Sequence, residues 1–208
     1  MKATALTILP LFMILTLLSG CNTGSLLAPA GPAPALYTLA APDQNGAPGA
    51  RVDWQLLVEA PIVTLDLNTA RIAVAPSAQR VDYYADVAWA DRAPVLIQNM
   101  IIESFDRSGR IAGVDRQHGG LRADFLLETD LRDFQVEAQQ SPPSAHVRIT
   151  AKLVRMRDRS IVGSRTFENA APVGDGGFPA PVTAFDAALR QILPDLVTWT
   201  LAEGGRAR

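Results

Sequence analysis

The chain has 208 residues, 19 basic against 21 acidic side chains and a net charge of −2. It has no cationic excess of the kind a nucleic-acid surface requires, and nucleic acid is excluded as a partner. Its single cysteine, Cys21, leaves nothing for an intrachain disulfide, so the domain must hold itself by one hydrophobic core.

The N-terminus reads as a lipoprotein signal peptide. Met1-Lys2 gives a short positive start, and Ala3 to Leu18 is apolar apart from Thr4, Thr7, Thr16 and Pro10. Leu18-Ser19-Gly20-Cys21 then forms a lipobox, with small residues that let a peptidase reach the backbone. The apolar run is shorter than the ~20 residues a spanning helix needs, and no charged stop-transfer cluster follows it. The Cys21 thiolate is the one side chain here nucleophilic enough to take a diacylglyceryl group. Residues 1–20 are expected to be removed, leaving a chain that begins at an acylated Cys21. The only cofactor-like group expected is this covalent lipid, with acyl chains such as palmitate. Residues 21–36 form a Pro/Ala-rich tether, with prolines at 29, 32 and 34. The fourteen residues 22–35, at about 3.1 Å each in polyproline geometry, reach roughly 40 Å. Asn22 follows the lipidated position where an Asp would retain the protein in the inner membrane. It favours the periplasmic face of the outer membrane.

Residues 37–203 are expected to form one domain. Tyr37-Thr38-Leu39 is β-prone, and Pro42 to Gly49 is turn material. Val52 to Glu59 alternates, with Val52, Trp54, Leu56 and Val58 on one face, which is a half-buried strand. Ile62 to Thr69 fits neither period. Arg71 to Ala75 reads as a strand stopped by Pro76, and Arg80 to Tyr84 as its hairpin partner. Asp91 is an expected N-cap, with Pro94 tolerated in the first turn. Ile97, Met100, Ile101 and Phe105 form an apolar helical face that stops at Gly109. Arg110 to Val114, Ala123 to Glu137, Ala145 to Arg157 and Ser160 to Glu168 are strands, the last three an antiparallel meander. A Gly-rich loop over 172–179 leads to a helix over Val182 to Ala202, kinked at Pro194.

The expected fold class is therefore α/β in the α+β sense. It is a single domain with a mainly antiparallel sheet of six or seven strands and two helices packed on one face. Trp54, Ile97, Ile101, Phe105, Phe125, Leu127, Phe185, Leu189 and Trp199 are its expected core.

The long hairpin carries a second pattern. Pairing 138 with 145 sets Phe134 opposite Ile149 and Val136 opposite Val147. Nearer the base Phe125, Leu127 and Leu131 face Val154 and Met156 with the opposite parity. Because both arms switch together, the register needs no bulge, and the buried side changes along the hairpin. Either the hairpin passes under two elements of its own domain, or its tip packs on another protein or on a sister protomer in a homo-oligomer. In the second reading Phe134, Val136, Val147 and Ile149 bind the partner, with Tyr83, Tyr84 and Trp89 as the fallback surface.

No catalytic residues are expected. His118 lies in a Gly-rich turn and His146 on the polar side of a strand, and no Gly-x-Ser-x-Gly elbow surrounds any serine. His118 with Asp115 and Asp124 is a weak metal candidate, and no metal site is assigned. Gly174-Asp175-Gly176-Gly177 lacks the Lys-Ser/Thr of a phosphate loop.

Several segments, in order, resemble a known family. They are the lipobox and tether, Tyr37-Thr38-Leu39, Val81-Asp82-Tyr83-Tyr84, Trp89-Ala90-Asp91, Asp133-Phe134-Gln135, the strand Ala145 to Arg155, Ser164-Arg165-Thr166-Phe167, and a helix ending Leu196-Val197-Thr198-Trp199-Thr200-Leu201. Together they resemble the ABC-type transport auxiliary lipoproteins, accessory components of mammalian-cell-entry (MCE) lipid transporters, the paraquat-inducible type among them. The resemblance implies an α/β domain on the outer membrane and no enzyme activity. It implies partnership with a periplasmic MCE-domain protein and, through it, an ABC permease and ATPase. One departure from the family is the segment Ile62 to Thr69: members often carry a Leu-Asp-Arg-Pro-Gln-Ile-Val type stretch near here, and this chain has Leu67-Asn68-Thr69-Ala70-Arg71-Ile72-Ala73, so partner choice is expected to differ if that stretch makes contact. The alternative function is a structural or assembly lipoprotein that supports an outer-membrane or secretion complex.

Overall fold

The computed structural model describes residues 33–43, 49–116 and 122–208. The signal peptide, Cys21, tether residues 22–32 and His118 lie outside the described residues. Residues 34–208 form a compact unit by themselves.

The long hairpin is its centre. Strands β6 (Phe125–Glu137) and β7 (Ser144–Arg155) pair antiparallel from Phe125↔Arg155 to Glu137↔Ser144. β8 (Ser160–Pro172) continues the meander along β7. The other edge of β6 is shared by two strands placed end to end. β2 (Gln55–Val58) runs parallel to Phe125–Leu127, and β3 (Arg71–Ser77) runs parallel to Gln135–Glu137. Between them Ile62 bridges to Asp130. β4 (Arg80–Trp89) forms the hairpin with β3, β1 (Ala35–Tyr37) lies parallel to β4, and β5 (Gly113–Arg116) lies parallel to β2.

The α+β class stands, with eight strands rather than six or seven. The sheet is mixed: the meander and the β3–β4 hairpin are antiparallel, and the four remaining pairings are parallel. Parallel neighbours need long crossovers: β3, β4 and a helix intervene between β2 and its parallel partner β5, and the same elements with β5 between β2 and β6. Pro76 does not end β3. It sits in a register shift between Val74 and Ser77, where its missing N–H breaks no regular ladder bond.

Helix α1 (Ala93–Ser108) buries Ile97, Met100, Ile101 and Phe105 as the spacing requires. Gly109 closes it in the left-handed conformation, φ 62°, with its N–H donated to the Asp106 carbonyl. Asp91 is not its N-cap. Arg92 holds that position without a side-chain capping bond, and the Asp91 carboxylate instead accepts the Arg92 N–H at 2.7 Å. The Ala93 N–H is satisfied by the Thr69 carbonyl. Buried Gln98 donates its amide to the Val58 carbonyl at 3.0 Å, fastening α1 to β2. Helix α2 (Ala180–Arg206) is longer than the expected 182–202 and runs through Pro194. No helix among the described residues is long and apolar enough to cross a membrane.

Both helices share one core with one face of the sheet. Eight of the nine expected core residues are buried; Trp199 is half-buried, its ring edge-on to Phe167 at 5.7 Å. The hairpin's parity has a different cause from the one its sequence suggests. The register shifts between Leu131 and Asp133, so Arg132 is an extra residue on β6. Phe125, Leu127 and Leu131 before that bulge, and Phe134 and Val136 after it, therefore point into the same core. β7 never switches: Ala145, Val147, Ile149, Ala151 and Leu153 all face inward. Phe134 pairs with Val147 and Val136 with Ala145, not with Ile149 and Val147. Val154 and Met156 lie with Leu57 and Leu126 in a small separate cluster.

Candidate functional site

The hairpin tip is not a docking surface. Phe134, Val136, Val147 and Ile149 are each at most 1% exposed and packed in this domain's own core. Of the two sequence readings, the intramolecular one holds, because the bulge turns the tip's apolar side toward α2. Phe134 stacks against Phe185 at 4.6 Å and Trp89 at 5.5 Å. Trp89 is therefore also interior and leaves the fallback surface.

Tyr83 and Tyr84 are half-buried and already engaged. The Tyr83 hydroxyl donates to the Asp66 carbonyl at 3.0 Å, and the Arg71 guanidinium lies 3.9 Å from its ring centroid. Tyr84 meets Phe178 edge-on at 5.0 Å, and Tyr37 packs on the same ring at 5.3 Å. Burial pushes the Tyr84 hydroxyl pKa above its ordinary value. These aromatics fix β1, β4 and the loop before α2 to one another.

Around His146 the sheet face away from the helices is polar and internally paired. Both ring nitrogens of His146 are taken by carboxylates, Nδ1 by Glu137 at 2.9 Å and Nε2 by Glu168 at 2.8 Å. Arg148 pairs with Asp133, and the Thr150 and Thr166 hydroxyls meet at 3.0 Å. With both nitrogens engaged, His146 has no free position from which to activate a serine. Asp115 and Asp124 carboxylates accept backbone N–H groups of Arg116 and Gln55. Among the described residues no group of three His, Cys, Asp or Glu is arranged to hold a metal ion.

The segment between β2 and β3, illegible by periodicity, presents the most exposed large apolar side chain among the described residues, Leu65 at 91%, with Ile62 at 66%. The backbone beneath them is fixed. Ile62 donates its N–H to Thr129 O at 2.8 Å and accepts from Leu131 N at 2.9 Å. Asn68 closes a turn onto Thr64 and is held by Arg92, while Tyr83 holds Asp66. Two aliphatic side chains on a well-tied loop, beside a polar sheet face, have the arrangement of a protein contact: apolar anchors with a polar surround. In sequence, Ile62 to Thr69 is marked as the segment that departs from the family the chain resembles, and neither Ile62 nor Leu65 is singled out within it.

A family model described as ABC-type transport auxiliary lipoprotein component matches residues 37–197. The crystal structure of protein XCC0632 from Xanthomonas campestris is similar at 32% identity and a TM-score of 0.78, covering 83% of this chain and 98% of that one. A second crystal structure shares the fold at 14% identity and a TM-score of 0.64, over 80% of this chain and 98% of its own. The Bradyrhizobium diazoefficiens protein bll6063 is 30% identical over 171 residues, 79% of this chain. The match covers 44% of that relative, so the chain spans less than half its length.

Proposed function

We propose a role in transport for this chain, which belongs to the ABC-type transport auxiliary lipoprotein family: it is the lipid-anchored, non-enzymatic accessory component of an MCE-type ABC transporter that moves lipids between the inner and outer membranes. The family match across residues 37–197 carries this reading. The lipobox before Cys21 supports the anchor, and Asn22 after it supports the periplasmic face of the outer membrane. A lipid is insoluble in the periplasm, so an inner-membrane ATPase delivers it only if a covered conduit reaches the opposite leaflet. A folded domain on a tether of roughly 40 Å is suited to hold the far end of that conduit. It needs an attachment surface for this and no chemistry of its own.

The test is affinity purification of the acylated protein from gently solubilised membranes, with membrane fractions separated by density. Recovery of an MCE-domain protein with its permease and ATPase, and sedimentation with outer membrane, is expected. Partners drawn only from an outer-membrane barrel or a secretion complex would replace this reading by the structural one. Sedimentation with inner membrane would overturn the localisation.

A further inference from the structure

A second feature, independent of the transport role, lies at the end of the sheet where β6 begins and β7 ends. The last turn of α2 closes over this end and leaves an open groove of about 510 Å³, within the ~300–1,000 Å³ of small-molecule sites. Its lining holds four arginines, Arg122, Arg155, Arg157 and Arg208, against one carboxylate, Asp124. Between them lie half-buried Ala123, Met156 and Ala207.

The four cations are not equivalent. Arg155 is structural: it donates to the Ala207 carbonyl at the helix C-terminus at 2.8 Å, to Ser160 and to Asp158. Arg208 pairs with Asp53. Arg157 is exposed and makes only a long ion pair, 3.8 Å, to Asp158 Oδ2, while Asp158 Oδ1 accepts from Ser160 and Arg155. Arg122 is exposed and has no partner among the described residues. Asp124 is committed to the Gln55 N–H at 3.0 Å. Arg122, without a partner among the described residues, and Arg157, held only by a long exposed ion pair to Asp158, thus both open on one cleft over an apolar strip. Guanidinium forks match phosphate oxygens bidentately.

We propose that this groove binds a phosphate ester, with Arg122 and Arg157 on the phosphoryl oxygens and the ester substituent over Ala123 and Met156. The shared chemistry admits a soluble phosphate ester or a phospholipid headgroup as its source. Calorimetric titration of the full acylated chain in non-ionic detergent separates them, with glycerol 3-phosphate as one probe and dihexanoylphosphatidylglycerol as the other. Saturable binding of at least one probe is expected. A tenfold or greater preference for the second assigns a lipid headgroup, and equal affinity assigns a soluble ester. Arg122→Gln with Arg157→Gln should weaken binding at least tenfold at unchanged thermal stability, whereas Arg80→Gln, at the far β3–β4 turn, should leave it unchanged. If the double variant loses stability, each single variant should weaken binding by itself. Absence of saturable binding for both probes, wild-type affinity in the groove variants, or equal loss in Arg80→Gln overturns the proposal.

Discussion

Gly204, near the end of α2, faces the ring of Trp54 so closely that a Cβ there would sit 2.4 Å from it. The ring is buried and has nowhere to retreat. A Cβ on the neighbouring Gly205 meets nothing. Gly204→Ala should therefore destabilise by about 1–3 kcal/mol through overpacking, while Gly205→Ala should be neutral or gain up to ~1 kcal/mol from helix propensity. Denaturant midpoints of the two variants check this, and a stabilised Gly204→Ala would refute the close approach. A second residue-scale case is Asp158. The Ser160 hydroxyl, with the Ser160 N–H and Arg155, lowers its pKa from 3.8 to about 2. A carboxylate lowered on folding stabilises the native state above its unfolded value, and that contribution is lost as pH falls from there through about 2. Ser160→Ala should move the Asp158 titration upward toward 3.8, read from its carboxyl resonance by NMR. At this scale the sequence was informative where a period repeats: Ile97, Ile101 and Phe105 are all interior. Trp199 misled because its position on the helix face says nothing about how far the sheet extends beneath it; here it lies at the rim, against Phe167.

Among the elements, the meander and both helices are legible because their signals are local. Turn residues join consecutive strands, and apolar side chains recur every three or four positions. The parallel pairings are not legible in this way. β2 and β3 share one edge of β6 although many residues separate them from it in sequence, and no short-range pattern encodes that choice. The Arg132 bulge was hidden for a related reason. A parity change in one strand has the same sequence appearance whether the buried face changes or one residue is looped out, and only the partner's register tells them apart. β7 keeps one parity, so the bulge is the answer, and its consequence is measurable. Phe134→Ala should cost about 3–5 kcal/mol, because the ring fills the space between Phe185 and Trp89. Chemical denaturation measures it, and a loss below about 1 kcal/mol, the range of a surface substitution, would return the tip to the surface.

For the whole molecule, the proposed anchor and the proposed attachment are separate devices, and only the first has a signal in the sequence. Lipidation is expected from four consecutive residues, Leu18-Ser19-Gly20-Cys21, so it can be read without a fold. The candidate attachment surface lies where the β2–β3 crossover runs beside β6, and it exists only once those segments meet. The two are therefore separable by mutation. Cys21→Ala should leave the domain folded but release it from the membrane or block its processing; an unacylated wild-type Cys21 in an intact-mass measurement would dismiss the anchor. Ile62→Ser with Leu65→Ser should do the converse. Leu65 is 91% exposed and Ile62 66%, and the loop is held by backbone bonds and by Tyr83 and Arg92 rather than by these two side chains. Stability should change by less than about 0.5 kcal/mol, as for other surface substitutions. Acylation and membrane fraction should be unchanged, while recovery of the transporter partner should fall several-fold. If the double variant is folded, anchored and still recovers its partner as wild type does, the exposed pair is idle surface. The contact must then be sought on the polar face around His146, where Glu137 and Glu168 hold a side chain that a partner's own charges can reach.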